Sequence, residues 1–291
     1  MRDKNEVLKK VTKFAEQNQD IKVLLLTSSM ANPKAETDIF SDLDVVIVTD
    51  KPKIFVDDKD WCSQFGEIMV SFNDNFKLEG ITSYTSLVLY KDYIRIDFSI
   101  WPTGLLKKIA EYKKLPAILD IGYEVLYDKN NLAADLNKPT NQAYQTQKPT
   151  KEEYERVVNN FYWDITYIAK YLWRDQFFFA KYMDYFIKYN LLKPMIEWLI
   201  GVENDWNVNP GKQGSNFKNH LDKKIWKELM ATFSGSDYQE NWDSTFKMMN
   251  FFSNVAKKVA YRLRFEYPQN LEDDVREYFE KIYNKDKPFD K

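Results

Sequence analysis

The chain has 291 residues, 42 basic against 44 acidic, for a formal net charge of −2, so it lacks the basic excess of a protein that coats nucleic acid. Its 44% hydrophobic and 30% charged residues suit a globular chain with a sizeable core, and 8 Gly and 10 Pro exclude collagen-like or linker character. A single cysteine, Cys62, and a single histidine, His220, exclude an intrachain disulfide, a Cys-rich zinc site and any two-histidine metal site, and argue against a histidine-based triad.

Residues 1–14 carry charges every two or three positions and no apolar h-region. No apolar run reaches the length of a membrane span, so a cytoplasmic protein is expected. Residues 6–16 place Val7, Leu8, Val11, Phe14 and Ala15 at helical spacing. Residues 22–27 and 43–48 are apolar runs with the length of buried strands, separated by a polar segment with Asn32-Pro33 as a turn signal. Residues 61–65 read as a short helix that Asp57 or Asp58 could cap. Residues 86–90 and 93–100 flank Lys91-Asp92 as a hairpin. In its second arm Ile94, Ile96, Phe98 and Ile100 share one face, and Tyr93, Arg95, Asp97 and Ser99 the other. A helix over 105–112 and a short strand over 124–127 follow.

Residues 137–150 are polar, contain Pro139 and Pro149, and read as a linker. Thr150 followed by Glu153 is a capping-box signature. Beyond it strand signals vanish, and helices are expected over 157–173, 177–189, 191–200, 223–233, 242–265 and 271–283. A Gly/Pro/Asn loop lies at 207–215, and 281–291 is a charged, fraying end. The reading is an α+β domain over 1–147, a mixed sheet flanked by helices, then an all-α helical bundle over 148–291. Aromatics gather in the second half, as in Phe161-Tyr162-Trp163 and Phe177-Phe178-Phe179. Their bulk predicts packing between helices, with a sugar- or base-stacking surface as the alternative.

Asp42-Leu43-Asp44 opens an apolar strand. Residues i and i+2 of a strand share a face, so both carboxylates can hold one hard cation. The second copy, Asp58-Lys59-Asp60, reads as a solvated helix start. Asp97 lies on the polar face of another apolar strand. Three such carboxylates on neighbouring strands make a Mg²⁺ site for phosphoryl or nucleotidyl transfer. The hydroxyl-rich turn Thr27-Ser28-Ser29-Met30-Ala31-Asn32 follows a strand and can contact a triphosphate, although a plain polar turn fits these residues equally well. No P-loop and no Gly-x-Gly-x-x-Gly fingerprint occurs.

These blocks resemble the streptomycin (aminoglycoside 6-) adenylyltransferases of the nucleotidyltransferase superfamily. The resemblance runs through LLLTSSMANPKAETDIFSDLDVVIVTD, WCSQFGEIM, RIDFSI, KPTKEEYERVVNNFYWDITYIAKYLWRDQFFFA, the GKQGSNFKNHLDKKIWKELMATFSGSDYQENW block and YRLRFEYP. It implies metal ligation by Asp42, Asp44 and Asp97, and nucleotide contacts from Ser28, Ser29, Asn32, Lys170 and Lys212. It implies Mg²⁺, ATP as donor, and a small cationic hydroxyl acceptor such as streptomycin, hence an antibiotic-resistance activity. The chain departs from the family at Ser28 and Met30, where a glycine and an arginine are usual, and at Tyr182-Met183, where Asp-His is usual. It departs also at Asn160, where a glutamate is usual. Asn cannot accept a proton, so Asp164, one turn later, is the candidate base. The alternative is a weakened relative that binds a nucleotide or partner without turnover. Cys62 and His220 read as a small buried residue and a satisfied or surface histidine.

Overall fold

The computed structural model describes residues 2–58 and 60–285. The helix start read at 58–60 and the charged end read at 281–291 therefore lie partly outside the described residues. The chain divides into two compact units, Met1–Ala143 and Tyr144–Lys291.

The first unit runs α1 (Lys4–Gln17), β1 (Ile21–Thr27), β2 (Leu43–Thr49), a short α2 (Ile54–Asp57), β3 (Ile68–Leu78), β4 (Ile81–Tyr90), β5 (Arg95–Pro102), α3 (Thr103–Ala110), a one-turn α4 (Ala117–Asp120) and β6 (Tyr123–Asp128). The strands form one sheet in the order β3-β4-β5-β2-β1-β6. Only β2 and β5 pair in parallel; the other neighbours are antiparallel. Leu24, Leu26, Val45 and Ile47 pack on one face with Val7 and Val11 of α1, while Val23, Leu25, Val46 and Val48 pack on the other with Leu105 and Ile109 of α3. Burial on both faces is why β1 and β2 read as unbroken apolar runs. The short helix at 61–65 is a helical turn, Asp60–Phe65, and the Asp58 carboxylate accepts from the Asp60 N–H at 2.9 Å.

The sequence reading assigns no strand to 66–80, yet β3 pairs along its length with β4. This edge strand is largely exposed and carries Asn73, Asp74 and Asn75, types depleted from strands, so neither an apolar run nor clean alternation marks it.

The second unit is helical: α5 (Lys151–Trp173), α6 (Phe177–Ile187), α7 (Lys193–Glu203), α8 (Phe217–His220), α9 (Lys223–Met230), α10 (Tyr238–Leu263) and α11 (Gln269–Tyr283). The capping box is formed: the Thr150 hydroxyl accepts from Glu153 N–H at 3.2 Å, and the Glu153 carboxylate accepts from Thr150 N–H at 2.8 Å. The break expected near residue 190 is instead a π-helical turn, Lys188–Leu192, that joins α6 to α7. Pro194 lacks an amide donor, and a widened turn absorbs that loss without ending the helical path. Phe161 of α5 stacks on Phe252 of α10, ring centroids 3.6 Å apart, inside the unit's core. No described helix is long and apolar enough to cross a membrane.

Candidate active site

The parallel pairing of β2 and β5 sets Asp44 directly beside Asp97. On the other side of β2, Thr27 at the end of β1 faces Asp44. The period of two places Asp44 on the face of Val46 and Val48, and Asp97 on the face of Ser99 and Trp101, while Asp42 immediately precedes β2. Val46, Val48 and Trp101 are closed into the apolar cluster with α3, whereas all three acids are only half-buried. The sheet thus changes, along one face, from core to an accessible acidic end.

Burial, reinforced by the charges of Asp97 and Asp42, pushes the Asp44 carboxyl up to about 6, against an opposing hydrogen bond with Ser28. Burial also raises Asp42, with Arg95 opposing and Asp97 adding to the effect. Arg95 donates from Nε and Nη2 to the two oxygens of Asp97 at 2.8 and 2.9 Å, and its Nε lies 3.5 Å from Asp42 Oδ2. Among the described residues no three acidic, histidine or cysteine side chains are grouped closely enough to hold a metal ion, so the expected cage of Asp42, Asp44 and Asp97 is not formed as the side chains stand. The donor set itself is that of a hard divalent cation: carboxylate oxygens only, with negative charge in excess. Arg95 is the one member of this cluster to which the sequence reading gave no role. Its signal was the i, i+2 spacing to Asp97 on the polar face of β5.

The turn after β1 is a 3₁₀ helix, Ser28–Ala31. Ser28 sits at φ 61° and donates its N–H to the Gly122 carbonyl at 3.1 Å. A left-handed backbone costs an L-residue about 1–2 kcal/mol and a glycine almost nothing, which gives the glycine usual at this position a physical reason. Met30 packs its side chain against the apolar cluster on the α1 face. The Asn32 amide is engaged within the unit: Nδ2 donates to Asn141 Oδ1 at 3.2 Å, and Oδ1 accepts from Lys34 N–H at 2.9 Å. Ser28 is therefore the residue of this turn with a contact to the acids, while Ser29 is half-buried beside it.

Asp164, Lys170 and Lys212 belong to the helical unit. Asp164 shares a face of α5 with Asn160, one turn apart, and burial raises its carboxyl. The Lys170 ammonium lies 4.4 Å from the Tyr167 ring centroid and 4.8 Å from that of Tyr171. These rings belong to a stripe. Trp163, Tyr167, Tyr171, Phe179 and Tyr182 follow one another with centroid spacings of 6.4, 6.2, 4.0 and 5.7 Å. Trp163 is 68% and Tyr182 55% exposed, so an open aromatic face exists beside the packed aromatic core. Lys212 lies on an exposed turn after Gly211, whose φ of 81° and whose backbone, 2.3 Å from Ser215 Oγ at the place of a Cβ, admit only glycine. It lines a cavity of about 420 Å³ with Lys193, Trp198 and Thr146. Cys62 is buried, with its thiol pushed up to about 12 by burial, and His220 Nε2 is placed between Asn216 and the Asn209 carbonyl.

A mixed sheet that gathers an Asp-x-Asp pair and a third carboxylate beside a serine turn is suited to nucleotidyl transfer. The family model for streptomycin adenylyltransferase matches residues 1–282, and the chain belongs to that family of transferase enzymes. An aminoglycoside 6-adenylyltransferase of Campylobacter jejuni is 30% identical over 273 residues, covering 92% of each chain. The Bacillus subtilis protein of the same name is 28% identical over 288 residues, covering 97% of this chain and 99% of its own. A crystal structure of an aminoglycoside 6-adenyltransferase from Bacillus subtilis has 23% identity, covers 98% of this chain and 100% of that chain, and superposes with a TM-score of 0.46.

Proposed function

We propose that this enzyme transfers AMP from ATP to a hydroxyl of an aminoglycoside such as streptomycin, in the cytoplasm, where ATP is available. The observation that carries the reading is the register that sets Asp44 beside Asp97, with Asp42 immediately before β2, in a chain of this family. Asp42, Asp44 and Asp97 would hold Mg²⁺, which when bound supplies charge stabilisation to the triphosphate as pyrophosphate leaves. The chain's own residues do the rest. The Ser28 hydroxyl and the backbone of Ser28–Ala31 face the phosphates, with Ser29 adding a second hydroxyl. Lys170 and Lys212 keep the role of phosphate cations that the resemblance implies. Asp164, made more basic by burial, takes the proton of the acceptor hydroxyl, a task Asn160 cannot perform. The aromatic stripe of α5 and α6 offers ring faces to sugar rings and to cationic amines.

The test is a pyrophosphate-release screen with ATP, GTP and CTP against a panel of aminoglycosides and other hydroxyl acceptors. Magnesium-dependent release with ATP and streptomycin is expected. Silence with every aminoglycoside would refute the acceptor class. A second reading, nucleotide binding without turnover, is favoured by the hold of Arg95 on Asp97. ATP binding with no release toward any acceptor would select it.

A further inference from the structure

Arg95 stands two residues before Asp97 on the polar face of β5, with its side chain 44% exposed. Its guanidinium holds both oxygens of Asp97, at 2.8 and 2.9 Å, and approaches Asp42 at 3.5 Å. A divalent cation on these carboxylates binds the same oxygens, at about 2.0–2.6 Å. The guanidinium and the cation therefore compete for Asp97, for its lone pairs and through the repulsion of like charges. The turn after β1, for its part, brings no guanidinium to the phosphates: Met30 stands there and packs against the core.

We propose that Arg95 changes partners during binding: it clamps Asp97 and Asp42 until a divalent cation takes their oxygens, and the released guanidinium then pairs with the phosphates of the nucleotide. The proposal rests on the reading of Asp42, Asp44 and Asp97 as the metal site. Arginine suits both states, because its planar fork matches a carboxylate and a phosphate alike. Lysine keeps the charge but has no fork, and glutamine keeps neither. Half-exposure leaves the side chain room to swing without disturbing the apolar face of β5, where Ile96, Phe98 and Ile100 are buried. Arg95 is a positioning residue for the cation and a binding residue for the nucleotide.

The test uses the full chain with Mn²⁺ as a paramagnetic probe. Free Mn²⁺ is followed by electron spin resonance for wild type, Arg95→Gln, Arg95→Lys and Asp44→Asn. ATP is then titrated calorimetrically at saturating Mn²⁺. Arg95→Gln is expected to bind Mn²⁺ about tenfold more tightly and to bind ATP about tenfold more weakly. Arg95→Lys is expected to bind Mn²⁺ more tightly than wild type, since the clamp is lost, and to keep more of the ATP affinity than Arg95→Gln. Unchanged or weaker Mn²⁺ binding in Arg95→Gln overturns the proposal, as does unchanged ATP affinity. A lysine variant identical to wild type toward Mn²⁺ also overturns it, because charge alone would then account for the effect. Equal Mn²⁺ binding by wild type and Asp44→Asn marks a different failure, that of the metal-site reading, and takes the proposal with it. Near-ultraviolet circular dichroism checks that each variant is folded.

Discussion

Glu272, on the first turn of α11, and Asp44, near the start of β2, are both carboxylates inside clusters of charge, yet their surroundings act in opposite directions. Burial pushes the Glu272 carboxyl up, but hydrogen bonds from Lys257, Ser253, Arg276 and Tyr267 outweigh it and hold the group at about 2. Ser253, Tyr267 and Lys257 meet one oxygen at 2.8, 2.9 and 2.9 Å, and Arg276 meets the other at 2.8 Å. Asp44 is half-buried, its strongest charged neighbours are two more carboxylates, and it rests at about 6. One cluster gives a buried anion every partner it can accept. The other leaves negative charge uncompensated, apart from one movable arginine. The first arrangement stabilises the fold; the second costs stability, as the perturbed carboxylates of functional sites do.

The largest effect should separate the two clusters by function. Asp42→Asn or Asp44→Asn should lower metal-dependent turnover by about a thousandfold or more, since losing a ligand removes several kcal/mol of transition-state stabilisation. Asp97→Asn should do the same while retaining some nucleotide binding. Single-turnover assays beside nucleotide titrations check this, and near-wild-type rates in any of the three would dismantle the metal-site assignment. Glu272→Gln should leave turnover almost intact and destabilise the protein by about 2–3 kcal/mol, because Lys257 and Arg276 lose a buried partner. Urea denaturation measures it.

The same contrast has opposite signs in pH. Glu272 lies below its ordinary 4.5, so its contribution is present above that pH and is lost as pH falls from about 4.5 toward 2. The gap between wild type and Glu272→Gln should close across that window. Asp44 lies above its ordinary 3.8, so wild type loses stability as pH rises from about 4 to about 6. Asp44→Asn should therefore melt at the same temperature as wild type near pH 4 and at a higher one above pH 6, in melts run with a chelator. A higher-melting wild type at pH 7 would mean that Asp44 has partners beyond those described.

Smaller effects belong to the serine turn. Met30→Arg should tighten Mg²⁺–ATP binding by about tenfold, the value of one charge-assisted pair of about 1.4 kcal/mol, provided the new side chain turns away from the core. Calorimetric titration decides; no change would mean that Arg95 or a lysine already fills the role. Ser28→Gly should shift stability by no more than about 1 kcal/mol, because relief of the left-handed backbone offsets the lost hydroxyl contact to Asp44.

Much of this architecture is legible in local pattern. Apolar runs announced β1 and β2, the Thr150–Glu153 spacing announced the start of α5, and the alternation in β5 placed Asp97 on the polar face. The Asp42–Asp44 spacing and the strand patterns were enough to nominate three acids, of which the register sets Asp44 beside Asp97. Edge strand β3 was not legible, because exposed Asn and Asp residues hide its period. The join of α6 to α7 was missed as well, because a π-helical turn leaves no apolar signature.

What the sequence determined by itself is what depends on residues a few positions apart: helical and strand periods, caps, and the i, i+2 spacing of Asp42 and Asp44. Tertiary structure alone decided who meets whom across long separations. It brought Arg95 to Asp42, Ser253 and Lys257 to Glu272, and the Gly122 carbonyl to Ser28 in its left-handed conformation. The physical reason is that a carboxylate's chemistry follows from the charges and donors within a few ångströms of it. Those neighbours are selected by sheet register and helix packing, which local periodicity does not contain.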